Sequence, residues 1–188
     1  MPNKTTVALT KEEYITIIQT MKQGGAGFRP NEKIIVALVL EANLGMRIGD
    51  ILDLTPRKII KDGDRYRLNV VETKTDKKRP FTVPDELYAY INEYCTKHNI
   101  QPDERIVKCT ERNVQLYLQK VCDYLGYENI STHSFRKYFA TDILKLSNYN
   151  ISLVQYLLQH SSPAVTQAYI GITSEEIENA LLEHLLIV

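Results

Sequence analysis

Helical periodicity runs through most of this 188-residue chain, and the one stretch that breaks it constrains the fold most. Residues 59–84 read IIKDGDRYRLNVVETKTDKKRPFTVP. Here a DGD turn precedes Tyr66, Leu68 and Val70, which alternate with polar residues, and a second extended run surrounds RPFTVP. Alternation of this kind, bounded by turn residues, predicts a small β-meander of two or three strands at about 58–83. Everything around it reads as helix. The expected class is mainly α with a small antiparallel β-sheet (α+β).

The helices announce their ends. Thr10 opens TKEE, a capping box with Glu13, and predicts a helix to about Lys22. Asn31 caps a strongly apolar helix, EKIIVALVLEANLG, that ends at Gly45. A short helix follows in IGDILDL. Pro84 starts another, and Thr110 and Gly126 bracket TERNVQLYLQKVCDYLG. Further helices are expected at about 133–146, 152–159, 163–169 and 174–186.

Composition narrows the class. No apolar run is long enough to span a bilayer, and the polar start MPNKTTVALTKEEY lacks a signal-peptide core. A cytoplasmic protein with no membrane partner is expected. The cysteines, Cys95, Cys109 and Cys122, are odd in number and widely spaced, which reads as buried thiols rather than a disulfide framework or zinc site. Net charge is zero, which by itself argues against nucleic acid. The average hides a gradient: residues 57–80 carry nine Lys or Arg against four Asp or Glu, while residues 174–188 carry four Glu and no Lys or Arg. One region can meet phosphates while the tail stays away.

Several residues invite a chemical reading, although each alone has an ordinary structural one. His133 and Arg136 lie three apart at the start of a helix and so share a face. An imidazole and a planar guanidinium there can reach one anion. His160, in LLQHSSP, stands where one helix ends and a Ser-Pro start opens the next. Tyr169 follows in AVTQAY; with an ordinary pKa near 10, a phenol attacks well only beside positive charge. Arg47 opens a helix, where a cation opposes the dipole, which hints at another use. Asp50, three residues on, reads as support for that turn. Lys74, in TKTDKKR, sits at or near a hairpin tip.

Taken in order, these pieces resemble the catalytic domain of the tyrosine recombinases, or phage integrases. That family has an arginine in a GLR turn, a hairpin lysine, an HxxR pair, an LLGH histidine and a TxxY tyrosine. Here the places are filled by Arg47 after NLGM, Lys74 in TKT, His133 and Arg136 in HSFR, His160 in LLQH and Tyr169 in TQAY. Asp50 matches an acidic residue three positions after the first arginine. Three positions depart from the pattern: Met46 for leucine, Gln159 for the glycine before the histidine, and Lys137 where many members have histidine.

The resemblance implies a chemistry. Tyr169 would attack a DNA phosphodiester, leaving a 3′-phosphotyrosine and a free 5′-hydroxyl. Arg47 and Arg136 would hold the nonbridging oxygens, and Lys74 would protonate the leaving oxygen. His133 would take or share the tyrosine proton, and His160 would hydrogen-bond the phosphate. No metal, ATP or other cofactor is expected. Implied partners are double-stranded DNA and further copies, as a tetramer on synapsed sites, with the acidic helix at about 174–186 docking either on its own domain or on a neighbour. The host would be bacterial or phage. The expected organisation is one catalytic domain over 1–188, without the family's usual N-terminal helical domain. Competing readings are a type IB topoisomerase, a non-catalytic DNA-binding relic of the fold, and an unrelated helical interaction protein.

Overall fold

The computed structural model describes residues 6–71, 78–79 and 81–171. Lys74 and the expected tail helix at 174–186 lie outside the described residues.

Among the described residues, eight α-helices and five short strands follow in chain order. The apolar helix α2 (Glu32–Leu44) is the centre of the molecule. Its residues from Ile34 to Leu44 are buried except Val39 and Asn43. A helix apolar around most of its circumference has to be enclosed, and its neighbours supply the enclosure. Helix α1 (Lys11–Gln23) packs on it, started by the Thr10–Glu13 capping box that the sequence predicts. Helices α5 (Glu111–Leu125) and α6 (Thr132–Leu146) lie on α2 as well. Tyr14 of α1 stacks on Tyr138 of α6, with ring centroids 5.3 Å apart.

Between α2 and α5 come the short α3 (Ile48–Leu52), a single 3-10 turn at Pro56–Lys58, the strands, and α4 (Asp85–Lys97). The predicted meander is divided into two sheets. Strands β1 (Ile59–Asp62), β2 (Arg65–Leu68) and β5 (Thr82–Val83) form one antiparallel sheet in the order β1-β2-β5. Strands β3 (Val70–Val71) and β4 (Lys78–Arg79) pair separately. The division falls at Asn69, whose amide turns back to the Lys58 carbonyl at 2.7 Å. By sequence, Lys74 falls between β3 and β4.

Two short helices close the described chain, α7 (Ile151–Leu158) and α8 (Pro163–Ile170). They rest with α6 on a small separate cluster of Ala140, Val154 and Leu158, flanked by Phe139, Ile143, Leu144, Tyr169 and Ile170. No described helix is long and apolar enough to cross a membrane.

One residue sets the direction in which the chain leaves α2. Gly45 ends that helix in the left-handed region, φ 58° and ψ 23°, and a Cβ there would collide with the Phe139 ring. Only glycine fits both demands. Gly45→Ala is therefore expected to cost about 2–4 kcal/mol, left-handed strain plus overpacking, read as a lower urea midpoint at unchanged slope.

Candidate active site

Arg136 anchors the site. It sits one turn into α6, 2% exposed, and its Nη2 donates to the Leu158 carbonyl at 2.9 Å. That carbonyl is available because of how α7 ends. Gln159 adopts the left-handed conformation, φ 55° and ψ 34°. Its amide reaches the Tyr156 carbonyl and the amide of His160 reaches that of Gln155, both at 3.1 Å. These paired bonds close the helix as a glycine-type end would and leave Leu158 to accept from elsewhere. A non-glycine residue in this conformation costs about 1–2 kcal/mol. Gln159 thus departs from the LLGH pattern in residue type but keeps its geometry.

His160 comes next in the chain. Its Nδ1 lies 3.1 Å from Thr166 Oγ1. Its ring meets the Tyr169 ring edge-on, at 5.1 Å and 81°. Burial, then the charges of Arg136 and Arg47, push its pKa down to about 4. The imidazole is therefore neutral at physiological pH.

Tyr169 lies on α8 with its side chain on the small α6–α7–α8 cluster. Its Oη is buried and meets no hydrogen-bond partner at good geometry among the described residues. Burial pushes the phenol up to about 12; Arg136 and Arg47 act against that rise, while Glu41 adds to it. Lys137 Nζ stands 5.3 Å from the centre of the tyrosine ring and donates to the Thr6 carbonyl at 2.7 Å.

Arg47 occupies the position before α3, in extended backbone and half-buried. Asp50 is buried in the first turn of α3, where a carboxylate suits the helix dipole. His133 is exposed at the start of α6 and shares a hollow of about 450 Å³ with Arg47, Asp50 and Glu111. Two guanidiniums, His160 and Tyr169 thus fall within one another's electrostatic reach, with His133 beside Arg47. Three stretches far apart along the chain supply them, around residues 47, 133–136 and 160–169.

Sequence reasoning missed three participants. Glu41, in the last turn of α2, is fully buried, and neither carboxylate oxygen finds a well-formed hydrogen bond. Burial holds its pKa well above the carboxylate range, against the pull of Arg136; Glu111 adds to the rise. An acid within the largely apolar stretch from Ile34 to Leu44 is the signal that could have found it. Lys137 is visible in the sequence as a departure from the family pattern, but nothing there places it over Tyr169. Thr166, fully buried, appears in the sequence only as the threonine of TQAY.

A sequence profile described as the phage integrase family matches residues 8–176. The chain belongs to the phage integrase family. Among its relatives is a probable integrase/recombinase, YoeC of Bacillus subtilis strain 168, 30% identical over 152 residues that cover 77% of this chain and 81% of that protein. The tyrosine recombinase XerC of Bradyrhizobium diazoefficiens is 32% identical over 142 residues, 71% of this chain and 44% of XerC. The chain thus spans most of YoeC but less than half of that XerC. In fold it resembles a XerH site-specific recombinase bound to palindromic difH substrate in a post-cleavage complex, with TM-score 0.75 and 18% identity over 96% of this chain and 53% of XerH. It also resembles a lambda integrase dimer bound to a COC′ core site, with TM-score 0.67 and 19% identity over 89% of this chain and 48% of the integrase. The phage integrase fold expected from the sequence is therefore the one observed.

Two titrating groups of this family member, half-buried His160 and buried Glu41, give opposite pH signatures. The pKa of His160 is depressed, so its contribution to stability is present above the usual value near 6.5 and lost as pH falls toward about 4. An NMR titration of the His160 ring should show no protonation above pH 5, and His160→Gln should flatten this part of the acid slope. The pKa of Glu41 is raised, so its contribution is present below about 4.5 and lost as pH rises toward the raised value. Glu41→Gln is expected to melt at a higher temperature than the parent at alkaline pH and to narrow that gap as pH falls.

Proposed function

We propose that this chain is a site-specific DNA recombinase or integrase that cleaves and rejoins strands through a 3′-phosphotyrosine intermediate. The observation that carries this reading is the placing of the Tyr169 phenol in the field of both Arg47 and Arg136. In the forward step Tyr169 Oη bonds to phosphorus and the 5′-oxygen leaves. The phenol is protonated at rest, so proton removal accompanies attack. His133 is assigned as the group that takes or shares that proton. Lys74 is assigned as the acid that protonates the departing 5′-oxygen. As negative charge grows on the nonbridging oxygens, Arg47 and Arg136 meet it with fixed donors in a partly dry site. His160 adds a further donor. Asp50 steadies the turn that carries Arg47.

The same reading makes the reaction independent of metal ions and ATP. Guanidiniums do the charge stabilisation that metals provide in other nucleases, and the covalent link stores the energy for rejoining. The partner is double-stranded DNA, approached by the basic stretch at 57–80. Residues 1–188 act together as one catalytic domain. A homo-tetramer on synapsed sites is the proposed assembly, with the tail at 174–186 as one contact between copies. Exposed apolar side chains at Leu146 (75%) and Tyr149 (65%), at and just after the end of α6, favour contact with another surface.

The test is direct. Incubated with supercoiled plasmid in EDTA without nucleotide, the protein should yield an SDS-stable protein–DNA adduct, and Tyr169→Phe should yield none. The phenylalanine variant should still fold, losing at most the hydroxyl's contact with the Arg136 side chain, about 1–3 kcal/mol. Absence of any adduct on DNA that the protein demonstrably binds would defeat the proposal and favour a non-catalytic DNA-binding role.

A further inference from the structure

We propose that Thr166 is a positioning residue: its hydroxyl donates to His160 Nδ1, fixing the imidazole as the Nε2–H tautomer and aiming that hydrogen at the scissile phosphate. The inference rests on the phosphotyrosine reading above and goes beyond it by assigning a role to a residue outside the catalytic set.

The geometry favours this direction of donation. Thr166 is fully buried in the first turn of α8, and its Oγ1 has two polar neighbours, His160 Nδ1 at 3.1 Å and the Ser162 carbonyl at 3.4 Å. A carbonyl can only accept. If the hydroxyl hydrogen went to Ser162, the imidazole would have to carry its hydrogen on Nδ1 and point a bare lone pair from Nε2. The Ser162 carbonyl, however, already accepts the Thr166 amide at 3.3 Å. The contact to the imidazole is also the shorter of the two. The hydroxyl is therefore better used on Nδ1, with Ser162 a weak second neighbour.

The tautomer matters because this imidazole is neutral. A neutral ring has one N–H, so the group holding one nitrogen decides what the other can do. With Nδ1 accepting from Thr166, Nε2 is a donor, as contact with a phosphate oxygen requires. The same bond links the imidazole to the helix that carries Tyr169. Thr166 and Tyr169 lie three residues apart on α8, and the His160 ring rests edge-on against the tyrosine. A shift of the nucleophile's helix therefore carries the imidazole with it.

Two measurements test this on the full chain. Nitrogen NMR of the His160 ring should report the Nε2–H tautomer in the parent, and Thr166→Val should move it toward the other form. With supercoiled plasmid, Thr166→Val should slow adduct formation at saturating DNA by about ten- to a hundredfold with little change in the half-saturating concentration, and Thr166→Ser should restore both rate and tautomer. A parent ring in the Nδ1–H form, or a valine variant as fast as the parent, would overturn the assignment. If Thr166→Val fails to fold, the parent's NMR signature still decides the direction of donation. If the parent forms no adduct on bound DNA, the phosphotyrosine reading fails, and the tautomer measurement shows separately whether Thr166 holds the ring.

Discussion

A guanidinium held out of water is the constraint on which this site depends. Arg136 is 2% exposed, and burying a cation is costly unless its hydrogens are used. The fold meets part of that need with the Leu158 carbonyl, at the negative end of α7. Making that carbonyl available requires α7 to stop abruptly, which forces Gln159 into a left-handed backbone. The forced turn in turn places His160 beside Arg136. One charged hydrogen bond, worth roughly 1.5–3 kcal/mol, thus joins the α6 arginine to the loop bearing the histidine and offsets the strain at Gln159. The geometry of the candidate site and local folding are here the same interaction.

Glu41 shows how closely the charges are balanced. A carboxylate fully buried near Arg136 would be expected to pair with it, yet its oxygens find no well-formed bond and its pKa is pushed up rather than down. Desolvation outweighs the attraction of the guanidinium. Protonated, Glu41 leaves the field of Arg136 uncancelled and directed outward. Ionised, it would oppose both the retention of an anion and the ionisation of Tyr169, whose phenol already feels it. The upward shift of Glu41 therefore works in the direction that favours an anion at the cationic site.

Much of the fold was legible because helix ends have local causes. The Thr10–Glu13 capping box, the left-handed Gly45 and Gly126, and the Thr110 cap are set by a few adjacent atoms, and the structure has them where the sequence places them. The division of the meander into two sheets was not legible, because it turns on the Asn69 amide finding a carbonyl eleven residues earlier. The catalytic candidates were found by type and order, through resemblance, while the residues that hold them were not. Thr166 acts across six residues onto His160. Glu41 acts from α2 through space. Lys137 acts through the N-terminal segment. Supporting contacts of this kind have no fixed spacing, so a pattern of residue types cannot express them.

The placing of Tyr169 follows from where the two cores lie. Most buried side chains from α1 to α6 belong to one continuous cluster, whereas α7 and α8 rest on a second one that, among the described residues, has three fully buried members. Local opening costs least where the fewest apolar groups are buried. Arg47 is tied to the large cluster through α3, Arg136 sits on α6, which contributes to both clusters, and Tyr169 is tied to the small one. For the proposed reaction, this division places the candidate nucleophile on the smaller of the two buried clusters.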